Sequence, residues 1–428
     1  MGDHHAGGRK TVSPLHLLTF LGAKQLETTV YTWNEDIYPA SAAPLATTAF
    51  LKPKRVSVFL TERARQVTFL TFEEAFRQAF PKVVLQPVDI RTGKDEQELW
   101  ELFEQMINTI LESPEQEVAL DITHGFRSLP ILALLATVYV QAAFAIQVRA
   151  ALYGALDATK EGKTPIFDLS PMLTLLEWAA ATDRFNRTGD SRYLSSLLRE
   201  QQKSLAIRWQ KQPEKLRRLS ALGNLAAGMD KITQALRLIR PHNAMEVAAA
   251  LPTYAEKSKP VLAETASALP FSMLLDKMNT AYAPLGLRES VQNQKQALEK
   301  ERLMIRWYAE REQWVQAAAL AREWLVSWVM AHLGISPETS STERHRVEGF
   351  VNSEAEAYLQ AKEAGRFFTP IFLRDIPEVE TLLSLWKSFT DVRNDILHAG
   401  MRDDPGRPES LIKQIRSALA QIEALPLP

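Results

Sequence analysis

Apolar and polar positions along the chain change rhythm once, near residue 171. Before it, short apolar runs alternate with segments of helical period. Leu15–Leu21, Arg55–Leu60, Val83–Ile90, Val118–Ile122 and Gln147–Ala155 read as strands. Ala64–Phe80, Glu96–Leu111 and Leu129–Ile146 read as the helices between them, with Leu99, Leu102, Phe103, Met106 and Ile110 on one face of the second. Strands separated by helices imply a parallel sheet covered on both faces. Pro87 marks its strand as an edge or a bend. Leu129–Ile146 approaches the length of a membrane span, but Pro130, Thr137, Gln141 and its place between strands argue for a central helix buried nearly all round.

After residue 171 only helical periods remain. Pro171–Thr188 and Tyr193–Trp209 read as helices, with more through Ala250–Met278. Tyr282–Gly286 reads as a turn and a domain boundary. Gln292–Leu333 is one long helix or a kinked pair, ended by Gly334-Ile335-Ser336-Pro337, and Glu338–Arg346 is a loop. Leu385, Phe389, Val392, Ile396 and Ala399 then form a buried stripe at alternating four- and three-residue spacing. The expected class is α/β followed by all-α.

Composition narrows the chemistry. Over 428 residues, 46% are hydrophobic and 24% charged, the make-up of a soluble globular chain with two or three domains. The net charge of −1 means that any nucleic-acid contact must come from local patches, such as the basic stretch Arg199–Arg240. The absence of cysteine excludes disulfides, thiolate metal sites and cysteine nucleophiles, and fits a cytoplasmic protein. The first ten residues have no apolar core and do not read as a signal peptide. No Gly-x-Gly-x-x-Gly follows the first strand, and Gly162-Lys163-Thr164 lacks the leading glycine of a phosphate loop.

Two stretches carry candidate chemistry. The first is Thr123-His124-Gly125-Phe126-Arg127, on a strand-to-helix turn with Ser128 as the helix cap. Such turns lie at the carboxyl ends of parallel strands, where ligands bind and helix N–H groups favour anions. It is either an ordinary turn with a surface arginine or a site for a nucleotide-like ligand. Asp121, inside the strand, reads as structural. The second is the polar arc opposite the Leu385–Ala399 stripe, holding Arg393, Asn394 and His398. An arginine fork holds phosphate and a histidine exchanges a proton near neutral pH, which suits phosphodiester chemistry. The same residues also suit a solvated helix end.

Together the two stretches resemble a known family. Asp121-Ile-Thr-His-Gly-Phe-Arg127, with Phe20-Leu21-Gly22 and Tyr31, resembles the ligand loops of CARF domains, the Rossmann-like sensors of CRISPR systems. Arg393-Asn394-Asp395-Ile396-Leu397-His398 resembles the Arg-x4–6-His motif of HEPN ribonucleases, and Ala321-Arg322-Glu323-Trp324 is similar to their earlier helix. The order is that of the standalone type III CRISPR accessory ribonucleases. The resemblance implies a CARF domain over 1–172, a helical connector over 173–295 and an all-helical HEPN domain over 296–428. It implies that cyclic oligoadenylate, with four adenylates as the family-level expectation, binds Gly22, Ala23, Lys24, Gln25, Thr123, His124, Gly125, Phe126 and Arg127. Thr61 and Glu62 are weaker candidates. It further implies that Arg393 and His398, with Asn394 positioning, cut single-stranded RNA in a homodimer or higher even-numbered oligomer. No metal, cofactor or membrane is implied. The alternative is a sensor or ring nuclease whose HEPN domain is regulatory.

Overall fold

A computed structural model of the chain describes residues 14–24, 27–124, 128–264, 268–290, 292–335, 341–401 and 404–428; helix 268–282 is described in full only from residue 275. The chain divides into two compact units, Met1–Leu176 and Glu177–Pro428.

The first unit is built on an eight-stranded sheet. The strands are β1 (Leu15–Leu21), β2 (Thr29–Trp33), β3 (Asp36–Ala40), β4 (Arg55–Thr61), β5 (Val84–Ile90), β6 (Glu117–Asp121), β7 (Gln147–Gly154) and β8 (Lys163–Asp168), in the order β3-β2-β8-β7-β6-β1-β4-β5. β7, β6, β1, β4 and β5 run parallel. The helices are α1 (Ala43–Leu51), α2 (Glu62–Ala64), α3 (Leu70–Ala79), α4 (Glu96–Leu111) and α5 (Leu129–Phe144).

β1 lies between β6 and β4, and every one of its residues is buried. Its side chains alternate between two cores, as the pleat requires. Leu15, Leu17 and Leu21 pack with α1 and α3, while Leu18 and Phe20 pack with Leu102, Met106 and Ile110 of α4 and with Leu129, Ala133 and Val140 of α5. The sheet is therefore covered on both faces, as the sequence expects. Pro87 lies on the edge strand β5, where a missing ladder donor costs least.

Several local expectations are corrected. β2, β3, α1 and β8 were not expected. β2 and β3 form a hairpin whose two-residue turn begins at Asn34 in the left-handed region, and β8 runs antiparallel to β7, so the sheet is mixed rather than purely parallel. The helix expected over Ala64–Phe80 begins at Glu62 and contains a π-helical stretch, Arg65–Phe69. α5 is not buried all round: Ile131, Leu135 and Tyr139, one helical turn apart, are 61%, 53% and 48% exposed. One face of a helix suffices to cover a sheet, and none of the described residues of the first unit buries the other. Among the described residues no helix is long and apolar enough to cross a membrane.

The second unit is helical, with α6 (Ser170–Thr188) leading into it. α7 (Arg192–Arg208), α8 (Pro213–Arg218), α9 (Ser220–Arg237), α10 (Pro241–Leu262) and α11 (Ala268–Tyr282) are followed by α12 (Gln294–Glu310), α13 (Trp314–His332), α14 (Ser341–Glu363), α15 (Val379–Leu397) and α16 (Pro408–Ala424). One core runs from Trp178 to Leu425 and draws on residues from both 177–295 and 296–428. The turn at Tyr282–Gly286 packs into that core through buried Tyr282 and Leu285. Tyr308 of α12 donates its hydroxyl to the Leu236 carbonyl at the end of α9 (2.5 Å). Residues Gln292–Leu333 hold two helices, α12 and α13. The loop expected over Glu338–Arg346 is helical from Ser341, because these polar residues form the first turns of α14, where Arg344 bonds to Glu323 of α13.

Candidate functional site

In the first unit, a cavity of about 550 Å³ opens beside the carboxyl ends of β1, β6 and β7. Gly22, Lys24 and His124 line it, as do Thr29, Tyr31, Leu156, Asp157 and Thr164. The loops that build it are pinned from below by Asp121, which is fully buried at the end of β6. Its Oδ2 accepts from the hydroxyls of Thr19 on β1 and Thr47 on α1, each at 3.1 Å. Its Oδ1 accepts from the Thr123 N–H (3.0 Å) and hydroxyl (2.6 Å). A buried carboxylate is tolerated only when its lone pairs are filled in this way. The same charge, added to burial, pushes the Tyr31 phenol up to about 12.

This network decides what the neighbouring residues do. The Thr123 hydroxyl, besides donating to Asp121, accepts the Gly154 N–H at 2.7 Å, so it ties β6 to β7. His124 accepts the Ala43 N–H on Nε2 at 3.2 Å, at the start of α1, where Ala42 offers no capping side chain. Burial lowers its pKa, with Asp121 pulling the other way. The ring is therefore neutral, with its proton on Nδ1. Ala23 packs with the core on the α1 side of the sheet. Thr61 caps α2 by accepting the Ala64 N–H (3.3 Å), and Glu62 lines a different cavity with Arg65 and Asp89. Gln25, Gly125, Phe126 and Arg127 lie outside the described residues.

The described lining carries one cation, Lys24, against Glu27 and Asp157. Near this cavity, α5 begins after Ser128, which among the described residues makes no side-chain capping bond. Sequence reasoning missed Thr29, Leu156, Asp157 and Thr164 as lining residues. The β-branched run Thr28–Thr32 and Gly162-Lys163-Thr164 were the available signals.

In the second unit, α15 buries Leu382, Leu385, Trp386, Phe389 and Val392 and turns Arg393, Asn394 and Leu397 outward. The buried stripe stops one turn short of expectation. Ala399 lies beyond the helix in the left-handed region (φ 52°) and is exposed. The Gly400 N–H bonds back to the Asp395 carbonyl (3.1 Å), closing a Schellman motif with His398 as the cap residue. Asp395 is buried and accepts the Gly406 N–H at 2.9 Å, so it anchors the following segment. Among the described residues, the side chains of Arg393, Asn394 and His398 make no hydrogen bond or ion pair, and His398 is exposed. α13 braces this helix: the Arg322 guanidinium stands 4.7 Å from the Trp386 ring centroid and pairs with Glu323 and Glu348. The basic stretch Arg199–Arg240 is partly neutralised, with Arg199 on Asp230 and Lys215 and Arg218 on Glu264.

Residues 16–157 match the family described as the CARF domain of the CRISPR system endoribonuclease Csx1. The first unit is a CARF domain of the CRISPR-associated kind. Residues 174–284 match the second domain of CRISPR-associated protein MJ1674. The MJ1674 protein of Methanocaldococcus jannaschii is 34% identical over 124 residues, which cover 28% of this chain and 20% of that protein's length. Enterococcus italicus Csm6 bound to cyclic hexa-2′-fluoro-hexa-dAMP is similar at 11% identity and a TM-score of 0.44, covering 96% of this chain and 93% of that one. The cavity above is thus built on the strand ends of the CARF domain, while Arg393 and His398 lie outside both matched stretches.

Proposed function

We propose that this protein is a ribonuclease switched on by cyclic oligoadenylate in type III CRISPR defence. The observation that carries the reading is one chain that holds a CARF domain and, on a separate compact unit, an arginine, an asparagine and a histidine whose side chains are unengaged among the described residues, at a helix end. Buried or structural polar groups find partners, as Asp121 does, whereas three free ones in two turns suit a substrate.

The activator binds at the carboxyl ends of β1 and β6, its phosphates against the start of α5 and Lys24. Its ring size is four adenylates. A ring with two-fold symmetry matches a two-fold dimer, and the open Ile131–Leu135–Tyr139 face of α5 supports pairing of two chains.

Cleavage uses two Arg393/His398 sets, one from each chain. Arg393 holds the scissile phosphate and stabilises the charge that grows on it. One His398 takes the proton from the 2′-hydroxyl as its oxygen bonds to phosphorus. The other donates a proton to the departing 5′-oxygen as that P–O bond breaks. Asn394 orients the strand. The products are a 2′,3′-cyclic phosphate and a 5′-hydroxyl, and no metal takes part.

The test is a labelled single-stranded RNA with and without cyclic tri-, tetra- and hexa-adenylate. Ring-dependent loss of RNA that survives EDTA and vanishes in Arg393→Ala and His398→Ala is expected. Activity that requires Mg²⁺, or that persists in both variants, refutes the reading. Ring cleavage without RNA cleavage would assign the chain to the activator-degrading class instead.

A further inference from the structure

A second cavity, of about 710 Å³ and open to solvent, lies on the helical unit, lined by Asn186 of α6, Lys277 of α11, Arg306, Trp307 and Glu310 of α12, and Arg311. Two of its lining residues hold buried nitrogen donors with no partner among the described residues: the Trp307 indole N–H and the Arg311 Nε–H. Both nitrogens are shut off from solvent, so water does not compensate them.

The indole is fixed in this state. Gly189 has φ 68°, and a β-carbon there would fall 2.1 Å from the ring, so backbone is pressed against it. Tyr282 stacks on it with centroids 6.3 Å apart, and the Arg311 guanidinium lies 4.2 Å from its centroid. Arg311 gives one Nη1 bond to the Trp307 carbonyl (3.1 Å) and a 3.7 Å pairing to Glu310, whose carboxylate is mostly exposed and therefore screened. Burial pushes the guanidinium below its ordinary pKa, the mark of a cation short of counter-charge. Lys277 adds positive charge, Asp276 opposes it at the surface, and Arg306 is held by Glu423.

Both orphan groups are donors, so what they lack is an acceptor. A guanidinium fork beside an N–H donor fits an oxyanion with several oxygens. We propose that the α6–α11–α12 cavity binds a phosphate group, carried by a free nucleotide or by an RNA strand, through Trp307 and Arg311.

The indole N–H signal of Trp307, assigned by its absence in Trp307→Phe, is followed by NMR in the full chain. It is titrated with inorganic phosphate, with adenosine monophosphate and with a 2′-O-methyl oligoribonucleotide, which cannot be cut through its 2′-position. The signal is expected to move on saturation, and Arg311→Gln to weaken the midpoint about ten-fold or more. Tighter binding of the oligonucleotide than of the monophosphate assigns an RNA strand as the source, and equal binding assigns the free nucleotide. Arg311→Lys keeps the charge without the fork and falls between. Because none of the three ligands is cleaved, the outcome does not depend on Arg393 or His398. A signal unmoved by all three ligands at millimolar concentration, or moved equally in Arg311→Gln, overturns the proposal.

Discussion

Replacing Glu301 by glutamine should stabilise the helical unit at alkaline pH and leave it little changed in acid. Glu301 sits on α12, 7% exposed, with its carboxyl 4.0 Å from the His242 ring on α10. Burial pushes its pKa up to about 7; Arg344 on α14 pulls it down and Glu323 on α13 pushes it further up. The folded state thus holds the proton more tightly than the unfolded chain, whose carboxyl titrates near the ordinary 4.5. Stability is then highest below about pH 4.5, falls as pH rises to about 7, and stays low above it. At 1.36 kcal/mol per pH unit, the ionised carboxylate costs about 3 kcal/mol at about pH 8. Glutamine keeps the shape and carries no charge, so Glu301→Gln removes that cost. For a unit of this size each kcal/mol moves the melting midpoint roughly 2–4 °C. Calorimetry of both proteins at about pH 5 and about pH 8 should show near-equal midpoints in acid and a variant higher by roughly 6–12 °C in base. Because other groups titrate in both proteins, the difference between the two is what counts. Parallel pH profiles would refute the reasoning, and a variant less stable at every pH would mean that the carboxylate's attraction to Arg344 outweighs its desolvation.

Asp121→Ala strips the shared acceptor from Thr19, Thr47 and Thr123 and should destabilise the CARF domain by about 3 kcal/mol or more, read as the loss of its melting transition; Asp121→Asn, which keeps one acceptor, should cost less. Leu135→Glu places a charge in the open stripe of α5 and should convert the dimer proposed above to monomer in light scattering, with the melting midpoint within about 2 °C of wild type because the residue is already half exposed. Arg393→Ala and His398→Ala should each change stability by less than about 0.5 kcal/mol in the same melts, since neither side chain is bonded within the described structure. A larger loss would assign them a structural task.

What the sequence could show was decided by whether the signal is local. β1 reads as a strand because it is apolar throughout, and it is apolar throughout because strands on both sides and helices on both faces bury it. β2 and β3 read poorly for the opposite reason. They are short, mostly half-exposed or exposed, and carry Pro39; among the described residues β3 pairs only with β2, and β2 is held in the sheet by β8, more than a hundred residues away. Gly162-Lys163-Thr164 has the look of a phosphate loop, yet it opens β8, and the Thr164 hydroxyl is bonded to those of Thr29 and Thr159. No rule of spacing contains that information, because it depends on strand register.

The same division separates the two candidate sites. Arg393, Asn394 and His398 follow from helical period alone, and the structure presents them on that arc. Thr123 and His124 follow from a strand-to-helix turn, but their tasks are set by Asp121, Gly154 and Ala43, which the turn does not encode. A hydroxyl that already donates to a carboxylate and accepts a backbone N–H has little left for a ligand. In the proposed reading, anion recognition in the cavity therefore falls to Lys24, the one cation in its described lining, rather than to Thr123 or His124. Thr123 and His124 become the means by which a change at the ligand would be felt: one is bonded to β7 and the other to the start of α1.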